Sequence, residues 1–204
     1  QFAERKNRGK LRKLYVMGCL SQRYAKELPA EIAEVDGWFG KFDYEGIVKE
    51  VQEFRSLGVH EIQSETYERT LTTPKHYAYL KIAEGCNRYC SYCAIPLITG
   101  KFTSRKMEDI LAEVKWLVSQ GVKELNVIAQ DLSSYGLDLY GEHRLAQLID
   151  EMAQIDGVEW IRLHYAYPTD FPYDILPIMA KHPNVCKYMD IALQHCSSNV
   201  LQKM

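Results

Sequence analysis

Between positions 105 and 120 the apolar residues are Met107, Ile110, Leu111, Val114, Leu117 and Val118. Steps of three and four keep them on one stripe, which predicts an amphipathic helix from about Arg105 to Gln120. Ser104 stands where an N-cap is expected, Glu108 and Asp109 fall in the early turns, and Gly121 stops the helix. The spacing returns at Leu145, Leu148, Ile149, Met152 and Ile155, for a helix from about Arg144 that ends at Gly157. A third helix is predicted over Tyr173–Lys181, between Pro172 and Pro183, and a fourth begins at Ser198. Short apolar runs lie between them, at Tyr77–Ala83, Leu125–Ala129, Trp160–Tyr165 and Tyr188–Leu193, and read as strands.

Strands alternating with helices favour an α/β fold with a parallel sheet and right-handed crossovers. No glycine-rich phosphate loop follows any of these strands, which lowers the dinucleotide-binding alternative. The preferred architecture is a partial TIM-like barrel over residues 76–204. In such barrels the reactive groups sit at the C-terminal ends of the strands. Those ends here carry Cys86–Cys93, Gln130-Asp131, Tyr165-Ala166-Tyr167 and Gln194-His195.

Residues 1–57 have a different layout. Leu14–Met17 and Val35–Gly40 read as short strands, Ser21–Glu31 as a helix broken at Pro29, and Tyr44–Arg55 as a helix with Ile47, Val48, Val51 and Phe54 on one face. This piece is too small to be expected as a whole domain. Residues 58–75, with Gly58, Ser64, Thr70, Thr72, Thr73 and Pro74, show no period and read as a linker.

Composition narrows the class only a little. A net charge of -2 does not call for a polyanionic partner, so nucleic acid is not required by this segment. The basic residues among the first thirteen (Arg5, Lys6, Arg8, Lys10, Arg12, Lys13) read as a solvated surface segment. No apolar run approaches the roughly 20 residues that span a bilayer, and no signal peptide is visible. Six cysteines in 204 residues is not disulfide density, so a reducing, cytoplasmic setting is expected.

The chemistry gathers at Cys86-Asn87-Arg88-Tyr89-Cys90-Ser91-Tyr92-Cys93. Three thiolates this close can hold three corners of an iron–sulfur cubane and leave the fourth iron open. The alternatives are a structural zinc site, which needs a fourth ligand such as Cys19, Cys186, Cys196 or a histidine, and a redox-only ferredoxin-type cluster. Taken alone, Cys19, Cys186 and Cys196 read as plain thiols, and His143, His164 and His182 as ordinary surface or core histidines.

The C-x3-C-x2-C spacing, with Tyr92 before the last cysteine and the motif following a first strand, resembles the radical S-adenosylmethionine superfamily. The resemblance implies a 4Fe–4S cluster on Cys86, Cys90 and Cys93. It also implies that S-adenosylmethionine chelates the fourth iron and is cleaved by one electron to a 5′-deoxyadenosyl radical. Lys81–Asn87, Cys93–Leu97 and Ser104-Arg105 are similar to the methylthiotransferases of that superfamily. Those enzymes have an N-terminal domain with a second 4Fe–4S cluster, a central radical barrel and a C-terminal TRAM domain. Val16–Tyr24 resembles the segment carrying the third cysteine of the N-terminal domain, which implies that Cys19 is an auxiliary-cluster ligand.

Within the group, one branch modifies an adenosine of transfer RNA (MiaB type) and the other an aspartate of ribosomal protein uS12 (RimO type). Gln130–Gly136, Tyr165–Thr169 and Leu193–Ser197 resemble the second branch. The implied partners are uS12 and an electron donor that the resemblance does not identify. Tyr92, Arg105, Gln130, Tyr167, Gln194 and His195 are candidates for contact with the cofactor. Each has a plainer reading: Tyr92 as a core aromatic, Arg105 as a cap of its own helix, the others as strand-end residues. A non-catalytic, metal-stabilised interaction module is the distant alternative. The resemblance covers only the middle of the family protein, so the expectation is a partial sequence, inactive by itself because two auxiliary-cluster ligands are absent.

Overall fold

A computed structural model describes residues 1–41, 43–55 and 69–204. The chain divides into two compact units, Gln1–Gln63 with Leu97–Gly100, and Ser64–Pro96 with Lys101–Met204. Most of the linker expected over 58–75, including Gly58 and Ser64, lies outside the described residues, as does the side chain of Phe54.

In the first unit, helix α1 (Phe2–Asn7) precedes strand β1 (Tyr15–Met17), helices α2 (Cys19–Arg23) and α3 (Leu28–Glu31), strand β2 (Gly37–Phe39) and helix α4 (Tyr44–Arg55). β1 and β2 pair in parallel, Val16 opposite Trp38. Asp36 fixes the entry to this pair. Its carboxylate accepts the Leu14 N–H at 2.8 Å and lies 2.6 Å from Lys6 Nζ and 3.2 Å from Lys13 Nζ. Pro29 does not break a helix as expected. It sits in the first turn of α3, where a missing N–H costs nothing, and the interruption falls earlier, after Arg23.

The second unit is built on a three-stranded parallel sheet. Along this part of the chain the elements are β3 (Tyr77–Lys81), β4 (Ala83–Glu84), α5 (Ile95–Thr99, of which Leu97–Thr99 belong to the first unit), β5 (Thr103–Ser104), α6 (Met107–Ser119), β6 (Glu124–Ile128), α7 (Leu137–Tyr140), α8 (Leu145–Ala153), β7 (Trp160–His164), α9 (Ile175–Lys181) and α10 (Ser198–Leu201). The sheet order is β3-β6-β7, while β4 and β5 form a small antiparallel pair. Register sorts the side chains into two faces. Ala78, Leu125 and Ile161 form one row and Leu80, Val127 and Leu163 the next; they are buried with Ile110, Val114 and Leu117 of α6 and Leu148, Ile149 and Met152 of α8. Alternate rows, Tyr79-Asn126-Arg162 and Lys81-Ile128-His164, fall on the opposite, mainly polar face. There His164 Nε2 meets Asn126 Oδ1 at 3.0 Å and Arg162 pairs with Glu124 at 3.1 Å.

Two expectations are corrected. Ser104 does not cap α6: it belongs to β5, and its N–H and hydroxyl donate to Asp138 at 2.8 and 2.6 Å, leaving Lys106 at the cap position. The fourth strand, Tyr188–Leu193, is reduced to isolated parallel bridges, Ile161 with Val185 and Ala166 with Ile191. Between the bridges the β7 side advances five residues and the outer segment six. The extra residue breaks the register, so no continuous ladder forms. No closed barrel is present among the described residues, and the architecture is an α/β fold with parallel sheets. No described helix is long and apolar enough to cross a membrane.

The outer edge of β3 is covered by an ion cluster. Buried Glu113 of α6 pairs with Arg105 at 2.7 Å and Arg69 at 3.3 Å. The same two arginines donate to the carbonyls of Lys81 and Tyr79. Those carbonyls are edge acceptors that water or a foreign strand would otherwise take.

Candidate functional site

Beyond β4 the chain enters an irregular loop, residues 86–93. Asn87 Oδ1 accepts the Phe102 N–H at 3.0 Å, and the Cys93 N–H donates to the Cys90 carbonyl at 2.9 Å. Cys86, Cys90 and Cys93 line one cavity, which Gln130, Tyr165 and Tyr167 close from the ends of β6 and β7. Tyr89 and Tyr92 also line it, and both residues are more than half exposed. No carboxylate, imidazole or fourth thiol is among the lining residues. Three soft donors arrayed around a cavity, with one corner unsupplied, suit a cubane cluster better than closed tetrahedral zinc.

Electrostatics differ across the loop. Burial pushes the Cys86 thiol up, opposed by the Arg88 backbone N–H at 3.4 Å from its sulfur. Desolvation and the nearby Cys90 push the Tyr92 phenol up to about 12. Tyr167 is raised as well, first by its contact with Cys90, where Oη and Sγ are 3.7 Å apart. At neutral pH both phenols are protonated, and both can donate toward the Cys90 sulfur.

Gln130 has an unmet requirement. Its Nε2 donates to Glu84, which also pairs with Lys81, while its Oε1 is buried with no partner among the described residues. A buried amide oxygen without a donor is rare in native structures and is often satisfied by a ligand or water. Its residue lines the same cavity as the thiols.

The structure thus brings Cys86, Cys90, Cys93, Tyr92, Gln130 and Tyr167 together. It does not bring Arg105, Gln194 or His195 to that cavity. Arg105 is engaged by Glu113 and the Lys81 carbonyl. Gln194 and His195 are exposed, and His195 Nδ1 accepts the Ser197 N–H at 2.9 Å. Cys19, exposed at the first residue of α2, belongs to the other unit. Cys186 and Cys196 do not line the cavity. Sequence reasoning passed over Arg88, although an arginine inside the cysteine loop needs a counter-charge, and Asp131 stands at the end of the next strand. Arg88 Nε meets Asp131 at 2.8 Å.

Residues 80–204 match the family model of the radical SAM superfamily. The chain belongs to that superfamily. It is also 57% identical over its whole length to a ribosomal protein uS12 methylthiotransferase RimO of Bacteroides fragilis, covering 46% of that relative. The figures for the proteins of the same name from Bacteroides thetaiotaomicron and Porphyromonas gingivalis are 58% and 53%, with 45% and 46% covered. The chain spans about half the length of the curated relatives it matches. A solved radical S-adenosylmethionine methyltransferase, TsrM from Kitasatospora setae, bound to tryptophan and a S-adenosylmethionine analogue, superposes with a TM-score of 0.66. That match covers 98% of this chain and 44% of TsrM at 15% identity, so it speaks for a shared fold. The superfamily membership agrees with what the cysteine motif implied, and the likeness to the uS12 branch with what Gln130–Gly136, Tyr165–Thr169 and Leu193–Ser197 implied.

Proposed function

We propose that this chain carries the radical core of a methylthiotransferase that modifies an aspartate of ribosomal protein uS12. The observation that carries the reading is the array of three thiols around one cavity that offers no fourth donor. Cys86, Cys90 and Cys93 would hold three irons of a 4Fe–4S cluster, with S-adenosylmethionine at the fourth. Together, when bound, those groups supply a 5′-deoxyadenosyl radical able to take hydrogen from an unreactive carbon. The chain's own residues bind and orient. Gln130 Oε1 offers a buried acceptor to an ammonium group, and the Tyr92 ring at the cavity mouth offers a stacking face to a flat heterocycle. The Tyr167 hydroxyl, 3.7 Å from the Cys90 sulfur, would donate toward it once that thiol is a ligand.

The mainly polar face of the sheet supports the finer reading of a partial barrel, with that face as its inner wall. Residues 1–57 would be part of an N-terminal domain in which Cys19 is one ligand of an auxiliary cluster. Its other ligands would come from parts of the longer relatives that this chain does not span. The substrate rests on identity of 53–58% with uS12 methylthiotransferases. Free thiols throughout the described chain suit a reducing cytoplasm.

Iron and sulfide analysis of the anaerobically reconstituted, full-length protein tests the chemistry, together with reductive cleavage of S-adenosylmethionine. Zinc in place of iron, with no 5′-deoxyadenosine formed, removes the radical reading. Mass spectrometry of uS12 from cells with and without the gene tests the substrate. A uS12 mass independent of the gene, with a transfer RNA that lacks its methylthio group when the gene is absent, moves the assignment to the transfer-RNA branch.

A further inference from the structure

The side chain of Arg88 makes more directed contacts than any thiol beside it. Arg88 lies inside the first gap of the cysteine motif, and its side chain is 17% exposed. Nε donates to Asp131 Oδ2 at 2.8 Å, Nη1 to Asp170 Oδ2 at 3.1 Å and Nη2 to the Thr169 carbonyl at 3.1 Å. The guanidinium also lies over the Tyr167 ring, 4.6 Å from its centroid. Asp131, at 2% side-chain exposure, is aimed by the Ser133 N–H at 3.0 Å and the Ser134 hydroxyl at 2.7 Å. One side chain of the cysteine loop therefore reaches the segments that follow both β6 and β7. Arg88 also lines a second space, an open cleft of about 450 Å³ shared with Asn87, Phe102, Asp138, His143 and Asp170. It lines both that cleft and the cavity of the thiols.

We propose that Arg88 is a positioning residue that pins the cysteine loop to the ends of β6 and β7 and closes the cluster cavity against the neighbouring cleft. The inference rests on the reading that the three thiols hold an iron–sulfur cluster. A planar guanidinium suits the task because it donates in three directions in one plane while its face stacks on a ring. Lysine has one point charge and no face. Buried Asp131 supplies the fixed counter-charge, and solvent-exposed Asp170 contributes less.

The test uses the full-length protein, reconstituted anaerobically, as wild type, Arg88→Met, Arg88→Lys and Asp131→Asn. The readouts are iron per chain, the electron paramagnetic resonance spectrum of the reduced cluster and the rate at which its visible absorbance bleaches in air. Arg88→Met should bleach about 10-fold faster than wild type and show a displaced spectrum, the scale typical of lost outer-shell support. Arg88→Lys and Asp131→Asn should move both readouts the same way by less, with unchanged far-ultraviolet circular dichroism. Wild-type bleaching and an unaltered spectrum in Arg88→Met overturn the proposal. If that variant does not fold, the same result in the other two overturns it. A wild type that binds no cluster defeats the underlying reading and takes this inference with it; a normal cluster in every variant defeats this inference alone.

Discussion

At the N-terminal ends of β6 and β7 the chain turns in through Gly121 and Gly157, whose φ angles are 89° and 93°. At the other end of the same sheet, residues with side chains take positive φ. Among the described residues the non-glycine cases are Tyr89, Tyr165, Asp170 and Gln194, at 49°, 68°, 57° and 64°. Tyr89 sits in the cysteine loop, Tyr165 and Asp170 follow β7, and Gln194 follows the outer segment bridged at Ile191. The left-handed region costs a side-chain-bearing residue about 1 kcal/mol or more. One end avoids the cost with glycine. The other uses glycine at Gly85 but also accepts the cost at Tyr89 and Tyr165, which line the cavity of the thiols, and at Asp170, which holds Arg88; exposed Gln194 does neither.

The sharpest way to break this contrast is at the thiols. Cys90→Ala in the full-length protein should abolish 5′-deoxyadenosine formation while leaving the unfolding midpoint nearly unchanged. Retained cleavage removes Cys90 from the ligand set. Next in size is the core beneath the apolar face. Leu125→Ala should cost about 3 kcal/mol, read by denaturant unfolding, because Leu125 is fully buried at the centre of the sheet. A third pair of variants compares the two ends directly. Gly157→Ala places a Cβ 2.5 Å from Val118 Cγ1 at positive φ and should lose about 2 kcal/mol. Tyr89→Gly should lose no stability, with a gain of up to about 1 kcal/mol from relieved strain. Equal losses in the two variants would erase the distinction between the ends.

The smallest effect concerns pH. Asp150 of α8 meets Lys181 at 2.7 Å and His182 at 2.6 Å, and these contacts, that with Lys181 first, hold its carboxyl below the usual carboxylate range. A carboxyl depressed by folding adds stability above its unfolded pKa and loses it as pH falls through the folded value. Asp150→Asn should therefore lower the unfolding midpoint slightly at neutral pH, and the gap from wild type should close in acid. A gap that widens in acid contradicts the assignment.

Helix periodicity made α6 and α8 legible in the sequence to within a few residues, because each buries one continuous stripe; α4 was legible by its spacing although Val48 of that face is exposed, and α9 by the prolines that flank it. The three strands of the β3-β6-β7 sheet were legible because they are short apolar runs between helices. The segment after Lys187 was not: its apolar residues read as a strand, but one extra residue against β7 is a matter of register, which composition does not encode. Small elements such as α5, α7 and the β4–β5 pair were also missed, being too short to carry a period. At the site, the cysteine spacing named the three thiols that share a cavity. Arg105 was misplaced because an arginine near a strand end looks the same whether it faces a pocket or a buried carboxylate. Only the fold shows that Glu113, eight residues on, is its partner.

That partnership has a bearing on how the chain is made. Arg69 precedes β3, while Arg105 and Glu113 follow it, and all three come before β6 begins at Glu124. The cover over the outer rim of β3 is thus encoded entirely upstream of the strand that will pair with its inner rim. During synthesis the arginines and their carboxylate emerge first, so one side of the nascent strand can be shielded before its permanent neighbour leaves the ribosome. Only the inward side then waits for β6, and a growing chain with a single open rim has half the opportunities to pair with another.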